Sequence, residues 1–306
     1  MDLNYSIVQP AELGDVPRAR VMLKDVYGLY GNQFRRWFGI TAPTSLLASE
    51  VLLMADQRIH AIYGSIPRGE IQYHWSEILE AGFLRYGSFF ISWFLGCFAL
   101  AAIATVVNGL DLDDGDSVWI SDSFHRAREH SGALLAAAVL TFCAFLAGMA
   151  VVEFVTFAMI KVMGRSHFAR LSLGASLVGY EVVAGIVSWL GMSIPIILRG
   201  NTSVWNALKK SVKASNGYEG YLFLLVVEST VGSYVAWYAV QYGFRLLLPA
   251  ALRYTAWYGW LVAFVAVLAT AAVEPPMFIG FSLVAASEHA PSQFIPDPGR
   301  RDWSPN

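Results

Sequence analysis

Charge is scarce in this sequence. Of its 306 residues only 14% are Asp, Glu, Lys or Arg, while 56% are hydrophobic. A soluble domain averages about 25% charged and less than half apolar, so this balance excludes an ordinary water-soluble globule. Lys and Arg are missing from long runs and cluster between them. That is the pattern of a polytopic helical membrane protein, because about 20 apolar residues are needed to cross the hydrocarbon core. The expected fold class is therefore all-α, a transmembrane bundle of about six spans with interfacial amphipathic helices.

Cysteine is nearly absent too. Cys97 and Cys143 both fall inside apolar segments, where they read as small packing residues and not as a disulfide or metal pair. The net charge of −2 gives no footprint for nucleic acid. The polar start, MDLNYSIVQPAELGDVPRAR, has no basic n-region followed by an apolar h-region, so insertion is expected to be driven by the spans themselves. Enzyme signatures are lacking: there is no GxSxG, no Walker loop, no GxGxxG and no charged triad placed for nucleophilic catalysis. The reading is a non-enzyme without a cofactor.

What is present divides into three parts. Residues 1–36 form an amphipathic segment, in which Val21, Leu23, Val26, Tyr27, Tyr30 and Phe34 recur at helical spacing. Its cationic heads are Arg18, Arg20, Lys24, Arg35 and Arg36, which suit anionic lipid at a membrane interface. Residues 37–286 form the transmembrane domain, with candidate spans at 37–55, 88–110, 133–155, 171–198, 220–244 and 257–284. The first is the weakest, holding Pro43 and Glu50, and five spans result if it only dips into the membrane. The fourth is expected to break near Pro195. A polar loop occupies 109–132, a second interfacial helix with Lys209, Lys210 and Lys213 occupies about 206–215, and residues 287–306 read as a disordered tail. In both the five- and six-span counts, 13 of the 21 Lys and Arg share the side of the N-terminus. Cytoplasmic loops carry the excess of Lys and Arg, so that end is expected in the cytoplasm. Six spans are preferred because both basic interfacial helices then lie on one membrane face. Trp37, Trp93, Trp257 and Trp260 fall near the expected span ends, where indole rings favour the headgroup region.

An echo complicates the count. YGNQFRRWF at 30–38 and YGSFFISWF at 86–94 share Tyr, Gly, Phe, Trp and Phe in register. A duplicated helix-entry unit would explain it, with Gly31 and Gly87 permitting a bend or a close helix approach.

The residues that could carry chemistry are glutamates. Glu50, Glu153, Glu181, Glu228 and Glu274 each sit in or beside a different apolar segment. An acidic residue at mid-bilayer costs about 2.5–3.5 kcal/mol, so each needs a reason. Glu228 and Glu274 are expected at similar depth on neighbouring helices, where two carboxylates in a dry site cannot both ionise easily. That arrangement would suit a proton or cation relay; hydrogen bonding between helices is the alternative. The acidic stretch Asp111, Asp113, Asp114 and Asp116 misses the EF-hand spacing, and HRAREH at 125–130 matches neither zinc-protease order, so no metal is expected.

The segment IPIILRGNTSVWNALKKSVKASNGYEGYLFLL and the N-terminal LKDVYGLYGNQFRRWF resemble bacterial integral-membrane proteins of unknown function. Those are akin to the membrane domain of glycerophosphoryl diester phosphodiesterases. Pro195, Gly200, Ala207, Leu208, Ser211 and Gly217 occupy matching places, while the phosphodiesterase domain itself is missing. The resemblance implies a helical bundle with cytoplasmic interfacial helices and no assigned chemistry. Three functions follow as expectations: a protein organising lipid or partner proteins, a proton- or cation-coupled permease using Glu228 and Glu274, and the membrane subunit of an exporter. The lipid bilayer is the expected partner in all three, joined by other membrane or cytoplasmic proteins in the first and last.

Overall fold

A computed structural model describes residues 16–67, 73–110, 119–163, 179, 181–199, 202–216, 218–248 and 256–287. Among these residues every regular element is a helix. They are α1 (Val16–Asn32), α2 (Phe34–Ser65), α3 (Trp75–Leu110), α4 (Ile120–Glu129), α5 (Ser131–Met163), α6 (residues 181–190), α7 (Ser193–Arg199), α8 (Val204–Ser215), α9 (Glu219–Leu247), α10 (Ala256–Ala271) and α11 (Pro275–Ser287). Six segments among them are long and apolar enough to cross a membrane, with α6–α7 and α10–α11 each making one broken span. The chain is thus a multi-pass helical membrane protein. Alternating spans gather α1, α4 and α8 at one end of the bundle.

The centre of the bundle is α3. From Ala99 to Val107 every side chain is buried, and alanines at 99, 101, 102 and 104 let neighbouring backbones approach. Lipid tails are as apolar as leucine, so close van der Waals contact between small residues holds such a bundle together. Helices α2, α4, α5, α7 and α11 all pack on α3. Between α3 and α5 the rings of Phe90, Trp93, Phe142 and Phe145 interlock. There the Trp93 Nε1–H donates to Thr141 Oγ at 2.9 Å.

The first span is longer than its sequence suggests. At 32 residues α2 measures about 48 Å, and α3 at 36 residues about 54 Å, against a hydrocarbon core of about 30 Å. Their far ends carry Asp56, Arg58, His60, Glu77 and Glu80. Arg58 donates to Glu80 Oε1 from both Nε (3.2 Å) and Nη2 (3.0 Å), and a small separate core of Ile59, Ile62 and Ala81 lies beneath. The two helices are thus longer than a crossing requires, and their charged ends form the surplus.

Helix α1 is docked on the bundle along α11, with Val26 and Leu29 in the main core. Two expectations about aromatic residues need correction. Trp37 is fully buried and is no headgroup anchor. The chain kinks at Gln33 between α1 and α2, and the Trp37 Nε1–H donates to Leu29 O at 3.0 Å beside that kink. Trp93 sits halfway along α3. So YGNQFRRWF spans a kink while YGSFFISWF runs through an unbroken helix, and the echo is not a repeated entry unit. Neither Gly31 nor Gly87 meets a neighbour where a Cβ would stand, so neither allows a close approach. Trp257 and Trp260, at the start of α10, are exposed. The side chains of Arg18, Arg20 and Glu153, the acidic stretch at 111–118 and the tail at 288–306 lie outside the described residues.

Candidate functional site: a hydroxyl-lined cavity at a broken helix

The last span cannot be one helix. Pro275 and Pro276 have no N–H to offer the carbonyls four residues back, Ala271 and Ala272, and their rings clash with them. The helix stops at Ala271 and restarts at Pro275. A lone carbonyl in a membrane costs several kcal/mol, so the break needs outside donors. It has them: Thr41 Oγ donates to Ala271 O at 2.7 Å, and the Tyr30 hydroxyl donates to Ala272 O. Val273, inside the break, fits over Gly232 of α9, where a Cβ would come within 2.6 Å of it.

Glu274 is the residue this break presents. It immediately precedes α11 at the helix's positive end, which favours a carboxylate there. Ser45 Oγ donates to its Oε2 at 3.0 Å. The carboxylate lines a cavity of about 610 Å³ between α2, α3, α9, α10 and α11. Hydroxyls crowd the walls: Thr44, Ser45 and Ser49 from α2, Ser92 from α3, Ser229, Thr230 and Ser233 from α9, and Thr270 from α10. Tyr234, Trp237, Tyr238 and Phe278 supply rings.

The other glutamates are placed elsewhere. Glu228 lines a separate groove of about 600 Å³ between α1 and α9, with Leu23, Lys24, Tyr27, Leu224, Val227 and Val231. There it hydrogen-bonds Tyr27; burial first, then this bond and charge, pushes the Tyr27 phenol well above its ordinary range. Glu228 and Glu274 therefore line different cavities, although Ser229 and Thr230, next in sequence to Glu228, face Glu274's. Glu50 and Glu181 are exposed. On α4, His125 pairs with Glu129 at 3.4 Å while His130 Nδ1 lies 3.0 Å from Arg126 O. Among the described residues no three His, Cys, Asp or Glu converge to hold a metal.

At the α1 end, α8 closes a second helix break. The α6 helix ends near Gly191, and Ser211 Oγ donates to Trp189 O at 2.6 Å. Ala207, Leu208, Ser211, Ala214 and Ser215 face inward, leaving Lys209, Lys210, Lys213 and Trp205 exposed. Arg199 Nε donates to Asn108 Oδ1 at 2.6 Å, tying α7 to the end of α3. Arg35 is exposed and Arg36 half-buried, its Nη1 donating to Gln33 Oε1 at 3.2 Å.

No family model, curated protein or solved structure matches the chain.

Two features of this site were missed in the sequence. The Pro275–Pro276 pair directly after an intramembrane Glu is the signal for a broken span. The Ser/Thr positions of α2 and α9 are the signal for a polar wall.

Proposed function

We propose that this protein is a small-solute permease of the cell membrane in which Glu274 binds the coupling proton or cation. The observation that supports this best is the placement of a carboxylate at a helix break, inside a hydroxyl-lined cavity, midway along the last span. Broken helices with a charged group at the gap are how membrane proteins make a polar site without exposing backbone to lipid. The coupled role falls to Glu274 alone, since Glu228 lines the α1–α9 groove. The chain's basic α8 face, and the excess of Lys and Arg on that side, support an N-terminus in the cytoplasm.

The test is uptake into proteoliposomes under an imposed pH gradient, with a panel of amines, amino acids and sugars. Glu274→Gln is expected to abolish gradient-driven uptake while leaving the protein folded. Equal accumulation by both proteins sinks the reading.

A second reading keeps one specific observation. The exposed face of α8, with Lys209, Lys210 and Lys213 around Trp205, suits an anionic lipid surface or an acidic partner, as expected of a protein that organises lipid or other proteins. Vesicles with and without acidic lipid separate the two readings. A scaffold would lose its association when these lysines become Gln and would ignore Glu274→Gln.

A further inference from the structure

We propose that the Glu274 cavity accepts an organic ammonium ion: a primary or secondary amine of single positive charge with an apolar or aromatic body. This deepens the permease reading and rests on it for the fate of the ligand, but names what the site binds.

Charge comes first. Glu274 is the single ionisable carboxylate among the described lining residues, and no Lys, Arg or His stands with it. Its one hydrogen-bonding partner of known geometry, Ser45, is neutral. A half-buried carboxylate with no cation beside it is costly to keep ionised, so a ligand supplying one positive charge gains what the protein withholds.

Hydrogen-bond direction comes second. A hydroxyl has one proton to donate and two lone pairs to accept with. Six lining hydroxyls have already committed that proton. Thr44 donates to Thr41 O (2.8 Å), Ser49 to Leu46 O (2.9 Å), Ser92 to Ser88 O (2.9 Å), Thr230 to Val226 O (2.7 Å) and Thr270 to Val267 O (2.8 Å). Ser45 donates to Glu274 itself. What these six offer a ligand is acceptor lone pairs. At these six positions phosphates and carboxylates would meet acceptors with acceptors, whereas an ammonium brings two or three N–H donors.

Shape comes third. A volume of about 610 Å³ fits a drug-sized molecule and far exceeds what a bare metal cation needs. Tyr234, Trp237, Tyr238 and Phe278 give it aromatic walls, which attract cations as well as apolar groups.

The experiment is calorimetry and tryptophan fluorescence on the purified full chain in nanodiscs. The probes are 2-phenylethylamine, its trimethylammonium analogue (charged but without N–H), 2-phenylethanol and phenylacetate. Saturable binding of the amine is expected, with the trimethyl analogue about tenfold weaker, the alcohol weaker again and phenylacetate not bound. Glu274→Gln should weaken the amine by about 10–100-fold. Thr230→Val, which keeps shape and removes an acceptor, should cost about 3–10-fold and leave a folded protein if the first variant fails. Equal binding of phenylacetate or the alcohol, saturation by sodium chloride alone, or unchanged affinity in both variants overturns the proposal. Amine binding without uptake into vesicles upholds the ligand class and removes the permease. Coupled uptake of a neutral or anionic solute without amine binding does the reverse.

Discussion

Thr41 and Tyr30 show how much of this molecule rests on single donors. Each supplies the proton that Pro275 or Pro276 cannot, to the carbonyl that its ring displaces. Thr41→Val keeps the shape but orphans the Ala271 carbonyl, and a loss of about 1–3 kcal/mol is expected in reversible denaturant unfolding, with Thr41→Ser close to wild type. Asp25 gives a pH-dependent case outside the spans. Burial lifts its carboxyl above the ordinary 3.8, with Lys24 opposing. The folded state therefore penalises the ionised form. The sign follows: docking of α1 is strongest below about pH 4 and weakens as pH rises through the lifted titration of Asp25. Asp25→Asn should remove that slope and slow amide exchange in α1 at neutral pH. Exchange in α1 that is as fast in the variant as in wild type would contradict this.

At the scale of helices, the sequence was legible where hydrophobicity alone decides. Long charge-poor runs become α3, α5 and α9 because nothing else can place such residues in lipid. The same reasoning places a helix in the second polar connection, and α8 forms there with Ser203 as its N-cap, accepting from the Asn206 N–H at 3.4 Å. Legibility ends where rotation and register matter. Depth along a span can be counted, so Glu228 and Glu274 were placed on neighbouring helices. Which face each side chain takes depends on packing: α1 covers the Glu228 side of α9, and the cavity opens on its Ser229 and Thr230 side. The α10–α11 break was hidden because its residues are apolar enough to continue a span. Replacing Pro275 and Pro276 together with Ala returns two N–H donors and removes two ring clashes worth about 3 kcal/mol each in a helix. The variant should be no less stable, yet lose gradient-driven uptake. Spin labels at Phe264 and Leu283 should move apart as the span straightens; an unchanged distance means that Thr41 and Tyr30, not the prolines, hold the break.

For the molecule as a whole, the two ends of the bundle differ in kind. One gathers α1, α4 and α8, with the lysines of α8 outward and Arg199 bound inside. The other carries the α2–α3 hairpin, whose ion pairs sit on exposed helix ends. Surface ion pairs such as Arg58–Glu80 are worth little, about 0–1 kcal/mol, so this hairpin is held by Ile59, Ile62, Ala81 and the continuity of its two long helices. The asymmetry makes topology testable in one chain. With Cys97 and Cys143 replaced by Ala, single cysteines at Lys210 and at Arg58 should react with a membrane-impermeant maleimide from opposite sides. Leu95 of α3 should react from neither. In intact cells the Arg58 position should be labelled from outside, and the Lys210 position only after the membrane is opened. A further cysteine at Arg35, at the start of α2, should be labelled from the side opposite to Arg58; labelling of both from one side would mean that α2 does not cross, leaving five spans, and would also turn the Glu274 cavity into a site without a pathway.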